Sequence, residues 1–388
     1  NVLARSYILT ILFLFSIAAV YKNRLEKPGL HVLLLILLAN TNLHGFIVAL
    51  GLSAVYLYEL LSQKRDQLTV KYYIALAALG AAFAFVIYLL LPPSDLADHT
   101  AAWRLELTAQ KLVNSAEVII NAFFPIVVPK VQFWNYLLSP PTPLLQGAAV
   151  ALCFFPVLFF RRKILPAIIY FLPFVSLLTL FWVKYFQVRH VGLVFILFIF
   201  SVWVSDIYHR GDILQGVLVK DLGIRILNIG LIIILAYHVF YGAVATYVEL
   251  GNDFSAASKA ASFINEQNYG EETLIVAFPS YDALSVLAQV QEQHKTFYSV
   301  EIEDQHSYAV WNKEYFDNWK ILNEEVLKRI KEVSKESSHE RIILIAGSYF
   351  TRREAVEDEL KLLASYPDSV EKSEGFCVYE FRDVDGEE

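Results

Sequence analysis

Long apolar segments recur along the first 250 residues, and they restrict the possible fold more than any other feature of the chain. Each segment is long enough to cross a bilayer wholly or in part. The eight segments are about Ser6–Tyr21, Leu30–Ala39, Leu43–Leu61, Tyr72–Leu91, Pro143–Phe160, Ile164–Trp182, Val191–Val204 and Ile226–Tyr247. With 56% hydrophobic residues in 388, the chain is predicted to be a multi-span α-helical membrane protein with about eight spans. The second and seventh segments are short, which is typical of helices that stop early to line a cavity.

Charge is divided unevenly between two parts of the chain. Residues 1–250 carry 18 Lys and Arg against 11 Asp and Glu, whereas residues 251–388 carry 14 against 28. The basic residues of the first part cluster beside apolar segments, so the positive-inside rule places these clusters in the cytoplasm and both chain ends outside it. The absence of a continuous basic stripe argues against a nucleic-acid partner. We predict a transmembrane domain over residues 1–250 and an extracytoplasmic domain over residues 251–388, in a multi-pass protein of the cell (inner) membrane.

The acidic C-terminal part alternates strand and helix patterns. Thr273–Phe278 and Arg341–Ala346 are apolar throughout, which is typical of strands buried on both faces. Gly375–Arg382 has a strand pattern, and Arg352–Ser365 has helical spacing. Strands that alternate with helices predict a small α/β domain with a largely parallel sheet. No glycine-rich phosphate fingerprint is present, so an accessory lid or recognition domain is favoured over a nucleotide site.

A polar stretch, Ala39–Gly45, interrupts a long apolar run, and we call it the polar knot. Hydrocarbon offers no hydrogen-bond partners, so Asn40, Asn42 and His44 predict either a polar cavity or helix ends at the membrane surface. A tight turn in which Asn and Gly cap two helices explains the same pattern. From the residues alone, these interpretations are equal alternatives.

A second polar segment enters the membrane at the predicted level of the polar knot, in the outward turn at residues 183–192. The planar guanidinium of an Arg suits phosphate oxygens, and a Lys adds a point charge. Snorkelling of these side chains to ordinary lipid headgroups is the alternative. The pairing of the two polar segments favours a site for a lipid phosphate. The predicted substrate-binding residues are Asn40, Asn42, His44, Lys184, Tyr185, Arg189 and His190.

These motifs together resemble a known family. A span opening Ala4-Arg5-Ser6-Tyr7, a basic loop, and a short span ending in the polar knot resemble bacterial membrane glycosyltransferases of the GT-C fold. The most similar families are the protein O-mannosyltransferases and the aminoarabinose transferases. Arg189-His190 resembles the Arg-Tyr pair that many members place near the lipid phosphate, with His190 in place of the Tyr. The acidic tail resembles the extracytoplasmic α/β domain that follows the last span in some members.

The resemblance implies a glycosyltransferase that moves a sugar from a polyprenyl-phosphate donor to an acceptor glycan, lipid or protein on the outer, periplasmic side of the membrane. In that family an acidic residue of the first outward loop serves as the base or orients the acceptor. That loop precedes the span matching Arg5–Tyr21, so the catalytic acid is expected upstream of Asn1, and the chain alone is expected to be inactive. A divalent metal is compatible with the fold, although no spacing of ligands in this chain indicates one.

Two other functions are alternatives to sugar transfer. A polytopic transporter or lipid flippase with an extracytoplasmic accessory domain would be built from internal repeats with paired broken helices. We find no convincing repeat in the sequence. A sensor that binds a ligand with its tail would carry a cytoplasmic output domain, and none is recognised.

Overall fold

The computed structural model describes residues 7–64, 68–91, 108, 119–124, 147, 151, 154, 164–183, 188–213, 222–308, 310–319, 321–347, 359–371 and 374–382. Predictions that concern other residues lie outside this description. They include most of the predicted span Pro143–Phe160, the loop between it and residue 91, and both Lys184 and Tyr185.

Apolar helices make up most of the described residues before residue 252. They are α1 (Tyr7–Val20), which continues into a short 3₁₀ turn (Tyr21–Asn23), then α2 (Pro28–Ala39), α3 (Leu43–Gln63), α4 (Val70–Leu90), α5 (Ile164–Val183), α6 (Val188–Ile213) and α7 (Leu222–Gly251). In the described ranges, the five helices α3 to α7 are long and apolar enough to cross a membrane, whereas α1 and α2 are shorter. The prediction of a mostly helical chain with repeated apolar helices and a C-terminal sheet domain is confirmed.

Helix α6 is longer than the sequence predicted. The apolar pattern placed a short segment at Val191–Val204, but the helix continues to Ile213 and has 26 residues. The prediction is wrong because polar residues follow Val204, and they lower the mean hydropathy without ending the helix. One of them, Tyr208, donates a hydrogen bond to the buried carboxylate of Glu59. These polar residues therefore extend the helix into a polar contact inside the protein.

The helices pack around one apolar core. Leu35, Tyr56, Tyr170 and Phe198 are among its fully buried side chains, and they come from α2, α3, α5 and α6. Large apolar side chains of α4 and α7 instead point outward and are exposed. They include Ile74, Phe85, Val239 and Phe240. An outer surface of this kind suits contact with lipid.

A mixed sheet forms the C-terminal domain. Its strands are β1 (Thr273–Phe278), β2 (Phe297–Ser299), β3 (Asp304–His306), β4 (Arg341–Gly347), β5 (Leu360–Tyr366) and β6 (Phe376–Phe381), and its helices are α8 (Ala257–Gln267), α9 (Ser280–Leu287), α10 (Lys313–Asn318) and α11 (Asn323–Glu336). In the described part of the chain the strand order is β3-β2-β1-β4-β6-β5. Strand β1 pairs in parallel with both β2 and β4, and the remaining pairs are antiparallel.

Helices cover both faces of this sheet. Ile275 and Ile343 pack with α8 and α9 on one face, while Val276 and Leu344 pack with α11 on the other. Because both faces of β1 and β4 are covered, their sequences are continuously apolar. The central strands of the domain were therefore visible in the sequence.

Two predictions for this domain are wrong. The sheet is mixed rather than largely parallel, since β3, β5 and β6 run antiparallel to their neighbours. From Leu360 onward the predicted helix Arg352–Ser365 is the edge strand β5 instead, while residues 352–358 lie outside the described residues. A β-bulge between Leu362 and Ala364 interrupts the alternation of inward and outward residues. That interruption made the apolar residues of β5 recur with helical spacing.

Candidate functional site

The two Asn side chains of the polar knot bind the backbone of the adjoining helices. Asn42 precedes α3, and its Oδ1 accepts a hydrogen bond from the Gly45 amide at 2.8 Å, which makes it the N-cap residue. Asn40 follows α2, is exposed, and its Nδ2 donates to the Ile36 carbonyl at 2.8 Å. Of the two alternatives that the sequence left open, helix capping describes Asn40 and Asn42.

The buried Thr10 of α1 forms hydrogen bonds with the polar knot. Asn42 Nδ2 donates to the Thr10 hydroxyl at 2.9 Å, and the hydroxyls of Thr10 and Thr41 lie 2.9 Å apart. The Thr41 hydroxyl also donates to the Leu38 carbonyl at 2.8 Å. Sequence reasoning missed Thr10, although a polar side chain within a largely apolar helix is a signal for a polar partner elsewhere.

Gly45 lets the turn close tightly, because a Cβ atom at this position would lie 2.6 Å from the Leu38 carbonyl oxygen. We expect Gly45→Ala to lower the free energy of unfolding by about 1–3 kcal/mol, the usual range for an overpacked site. Thermal unfolding in detergent micelles would measure the loss. Gly80→Ala in α4 is the matched control, because no atom lies within 4 Å of its added Cβ. Equal unfolding temperatures for both variants would contradict the tight turn.

His44 belongs to a cluster of rings contributed by four helices, which we call the imidazole cluster (Tyr7, His44, Phe181 and His190). The imidazole rings of His44 and His190 have centroids 4.3 Å apart. The ring of Tyr7 lies 6.2 Å from His44 and 5.6 Å from His190, and that of Phe181 lies 5.7 Å from His44. Both His side chains are buried. Residues 146 positions apart in the chain thus meet as one cluster.

Two helix N-termini meet at the imidazole pair. His44 is the second residue of α3, and His190 is the third residue of α6. The first turn of a helix leaves backbone N–H groups without intrahelical partners and carries a partial positive charge. The convergence of two such ends favours an anion over a cation at this place.

The seven predicted site residues differ in where the structure places them. It brings His44 and His190 together. Asn40 and Asn42 lie in the turn beside them and bind backbone atoms. Arg189 lies in the first turn of α6, and its side chain is outside the described atoms. The remaining two, Lys184 and Tyr185, lie outside the described residues.

A second polar cluster occupies the opposite ends of the same helices, and we call it the ion-pair cluster (Tyr21, Arg24, Glu59 and Tyr208). The guanidinium of Arg24 donates to Glu59 through Nε at 2.6 Å and through Nη2, and the Tyr208 hydroxyl donates to the same carboxylate at 2.6 Å. The guanidinium also lies over the Tyr21 ring, 4.3 Å from its centroid. Glu59 is fully buried, and Arg24 nearly so.

A charged residue within an apolar segment is the sequence signal for the ion-pair cluster. Glu59 is the only charged residue of α3, and an ionisable residue within an apolar helix requires a partner. Arg24 follows the first apolar segment and is among the basic residues that the positive-inside rule places in the cytoplasm. Glu59 follows His44 by 15 residues, which at the helical rise is roughly 22 Å along α3. The two polar clusters thus mark the two ends of one helical bundle.

Metal binding and relatedness to known proteins add no further constraint. Within the described ranges, no group of three or more His, Cys, Asp or Glu residues is arranged to hold a metal ion. No family model, curated protein or solved structure matches the chain. The chemistry of the imidazole cluster is therefore argued from its own residues.

Proposed function

We propose that the imidazole cluster holds the phosphate of a polyprenyl-phosphate sugar donor, and that the chain provides the donor site of a membrane glycosyltransferase of the GT-C kind. The meeting of two helix N-termini at His44 and His190 is the observation that carries the proposal. Arg189 precedes His190 in the same turn, and a guanidinium is the side chain best suited to phosphate oxygens.

Sugar transfer from a lipid phosphate makes two chemical demands. The departing phosphate needs positive groups that stabilise its growing charge. The two helix ends and the imidazole rings of His44 and His190 would meet this demand, and we propose that Arg189 adds to it. The acceptor hydroxyl needs a base. Because the described residues of the cluster include no carboxylate, we propose that the base comes from outside it. We further propose that the cluster lies at the outer face of the membrane, with the ion-pair cluster and its neighbouring basic residues on the cytoplasmic side.

Donor binding can be tested on the chain itself. In lipid nanodiscs, a long-chain polyprenyl phosphate is expected to bind at least tenfold more tightly than the corresponding polyprenol, because only the former carries the anionic group. Native mass spectrometry or a fluorescence titration measures both affinities. Arg189→Ala is expected to weaken binding of the phosphate by about 10–100-fold, the range for a lost charge-assisted hydrogen bond.

The controls separate the proposed site from general attraction to cations. Lys22→Ala removes an exposed cation at the opposite end of α1, and binding should not change. His190→Phe keeps an aromatic ring beside His44 but loses the imidazole N–H. It is therefore expected to weaken binding of the polyprenyl phosphate and to leave binding of the polyprenol unchanged. Equal affinities for the phosphate and the alcohol would refute the proposal.

A lipid flippase would use the same phosphate site, and the fate of the sugar distinguishes the two activities. Transfer leaves the sugar on an acceptor and releases the lipid phosphate. Flipping leaves the sugar on the lipid in the other leaflet. In vesicles reconstituted with this chain, a labelled donor is expected to stay in the leaflet to which it is added, whereas a flippase would move it to the other leaflet.

A further inference from the structure

The sheet of the C-terminal domain has a point where its chain connections change direction. Strand β1 leads through α9 to β2 on one side, while β4 lies on the other side of β1 and leads away to β5 and β6. Connections that leave two adjacent parallel strands in opposite directions open a crevice at the carboxyl ends of those strands. In this domain the crevice lies between the ends of β1 and β4.

Asp282 sits at this crevice. It lies in the first turn of α9, just after β1, and a Cβ atom at Gly347, the last residue of β4, would lie 3.3 Å from its Oδ2. The Asp282 side chain is partly buried. The charged groups that act on it are all carboxylates, those of Glu374, Glu301 and Glu371, and burial together with these charges raises the pKa of Asp282 to about 7.

A second carboxylate lies beneath the same edge of the sheet. Glu301 follows β2 and is fully buried. Its carboxylate accepts hydrogen bonds from the Ser280 amide at 2.8 Å and from the Ser299 hydroxyl at 3.1 Å. Burial raises the pKa of Glu301, and these hydrogen bonds lower it in part. No cation within the described part of the chain is paired with either Glu301 or Asp282.

Two half-exposed aromatic rings, one of them on the residue that precedes Asp282, pack against each other. Tyr281 and Trp311 are each about half exposed, at 49% and 47%, and their ring centroids are 4.7 Å apart in an edge-to-face arrangement. Tyr315 packs 5.5 Å from Trp311 and is buried. Burial, and then the charges of Glu301 and Asp282, raise the pKa of the Tyr315 hydroxyl, so this ring joins the aromatic pair to the carboxylates.

The combination differs from an ordinary solvated acidic surface, because one carboxylate is fully buried, the other is partly buried, and the charges of both act on the buried Tyr315, which packs against Trp311. Aromatic rings attract cations through the electron-rich face, and carboxylates add to that attraction where, as in the described part of the chain, no cation is paired with them. We propose that this acid–aromatic crevice (Tyr281, Asp282, Glu301, Trp311 and Tyr315) binds the ammonium group of an organic cation.

The position of the crevice allows two sources of such a cation. Glu374, whose charge acts on Asp282, accepts a hydrogen bond from the Ser255 hydroxyl at 2.7 Å, and its carbonyl accepts one from the Ala256 amide at 2.9 Å. These residues follow α7 directly, and Val248 of α7 packs against Val370 of the domain. The crevice therefore lies at the edge of the domain that joins the last apolar helix. A soluble amine and the ammonium headgroup of a lipid can both reach such a place.

Isothermal titration calorimetry of the full chain in maltoside micelles at pH 8 tests the proposal. Choline is expected to bind at least about tenfold more tightly than 3,3-dimethyl-1-butanol, which has the same shape without the charge. Trp311→Ala and Asp282→Asn are each expected to weaken choline binding about tenfold or more. Trp319→Ala is the control, because Trp319 is similarly exposed, at 44%, and has no ring contact with Tyr281 or Trp311 among the described contacts.

A second arm identifies the source of the ammonium group. Nanodiscs of phosphatidylcholine or phosphatidylethanolamine are expected to abolish choline binding if a lipid headgroup occupies the crevice, while phosphatidylglycerol nanodiscs leave it intact. Unchanged choline binding in all three lipids identifies a soluble amine as the ligand of the crevice. Either outcome supports a cation site. Equal affinities for choline and the neutral alcohol, or wild-type affinity in both Asp282→Asn and Trp311→Ala, would overturn the proposal. Asp282→Asn is expected to be at least as stable as the wild type at pH 8, so lost binding is not explained by unfolding.

Discussion

Replacing Arg24 by leucine is expected to lower the free energy of unfolding by about 3–5 kcal/mol, because the substitution leaves the charge of Glu59 buried without a counter-charge. Glu59 is fully buried and receives hydrogen bonds from Arg24 at 2.6 Å and from Tyr208 at 2.6 Å. After the substitution only tyrosine hydroxyls remain to stabilise the carboxylate. Denaturant titration of the chain in micelles, followed by circular dichroism, would measure the change.

A double substitution separates the buried charge from the loss of packing. Arg24→Leu combined with Glu59→Leu removes both charges, and such replacements of buried ion pairs are often neutral or stabilising. We therefore expect the double variant to recover most of the stability that the single variant loses. Lys27→Leu is the control at an exposed position in the same segment and should change stability little. A double variant as unstable as the single one would show that the lost stability comes from the contacts of Arg24 and not from the buried charge of Glu59.

Replacing Asp282 by asparagine is expected to stabilise the C-terminal domain by up to about 4 kcal/mol at pH 8. The pKa of Asp282 is about 7 in the folded chain, because burial and the charges of Glu374 and Glu301 disfavour its ionised form. An unfolded Asp ionises near pH 4, and each unit of difference corresponds to about 1.4 kcal/mol. Ionised Asp282 therefore opposes folding at pH 8, and asparagine removes that cost.

The pH dependence gives the sign of this effect. Because the pKa of Asp282 is higher in the folded chain than in the unfolded chain, folding favours the protonated carboxyl. The free energy of unfolding of the wild type is therefore highest near pH 4 with respect to this group, and it falls as the pH rises to about 7. The difference between wild type and Asp282→Asn should thus widen from pH 4 to 7 and stay constant above. Glu271→Gln, at an exposed position of the same domain, serves as the control. A stability difference that shrinks as the pH rises would contradict this assignment.

The sequence predicted those parts of the fold that depend on long uniform patterns. The apolar helices emerged at nearly the observed bounds, because a membrane-type helix needs an uninterrupted apolar stretch. Strands β1 and β4 were equally clear, because both of their faces are buried. The failures occurred where a local feature breaks the pattern. The bulge in β5 imitated helical spacing, and the polar end of α6 concealed its last turns.

The candidate sites were less predictable, because they depend on contacts between distant residues. The sequence selected His44 and His190 as polar residues near a membrane surface, and only the structure shows their rings 4.3 Å apart. Glu59 was visible as a charge within an apolar helix, but its partner Arg24 lies 35 positions earlier in a segment that resembled a solvated loop. The crevice at Asp282 depends on the strand order of the sheet, and that order is not encoded in any local pattern.

Helices α1, α3 and α6 are connected to one another at both of their ends. At one end the ties are the rings of Tyr7, His44 and His190, and at the other end they are the hydrogen bonds that Glu59 receives. Tilting any one of these helices about its middle would separate partners at both ends at once. The three helices are therefore fixed to one another at two levels, and we expect any movement that would admit the proposed lipid donor to be made by elements outside them, such as α4 or α7.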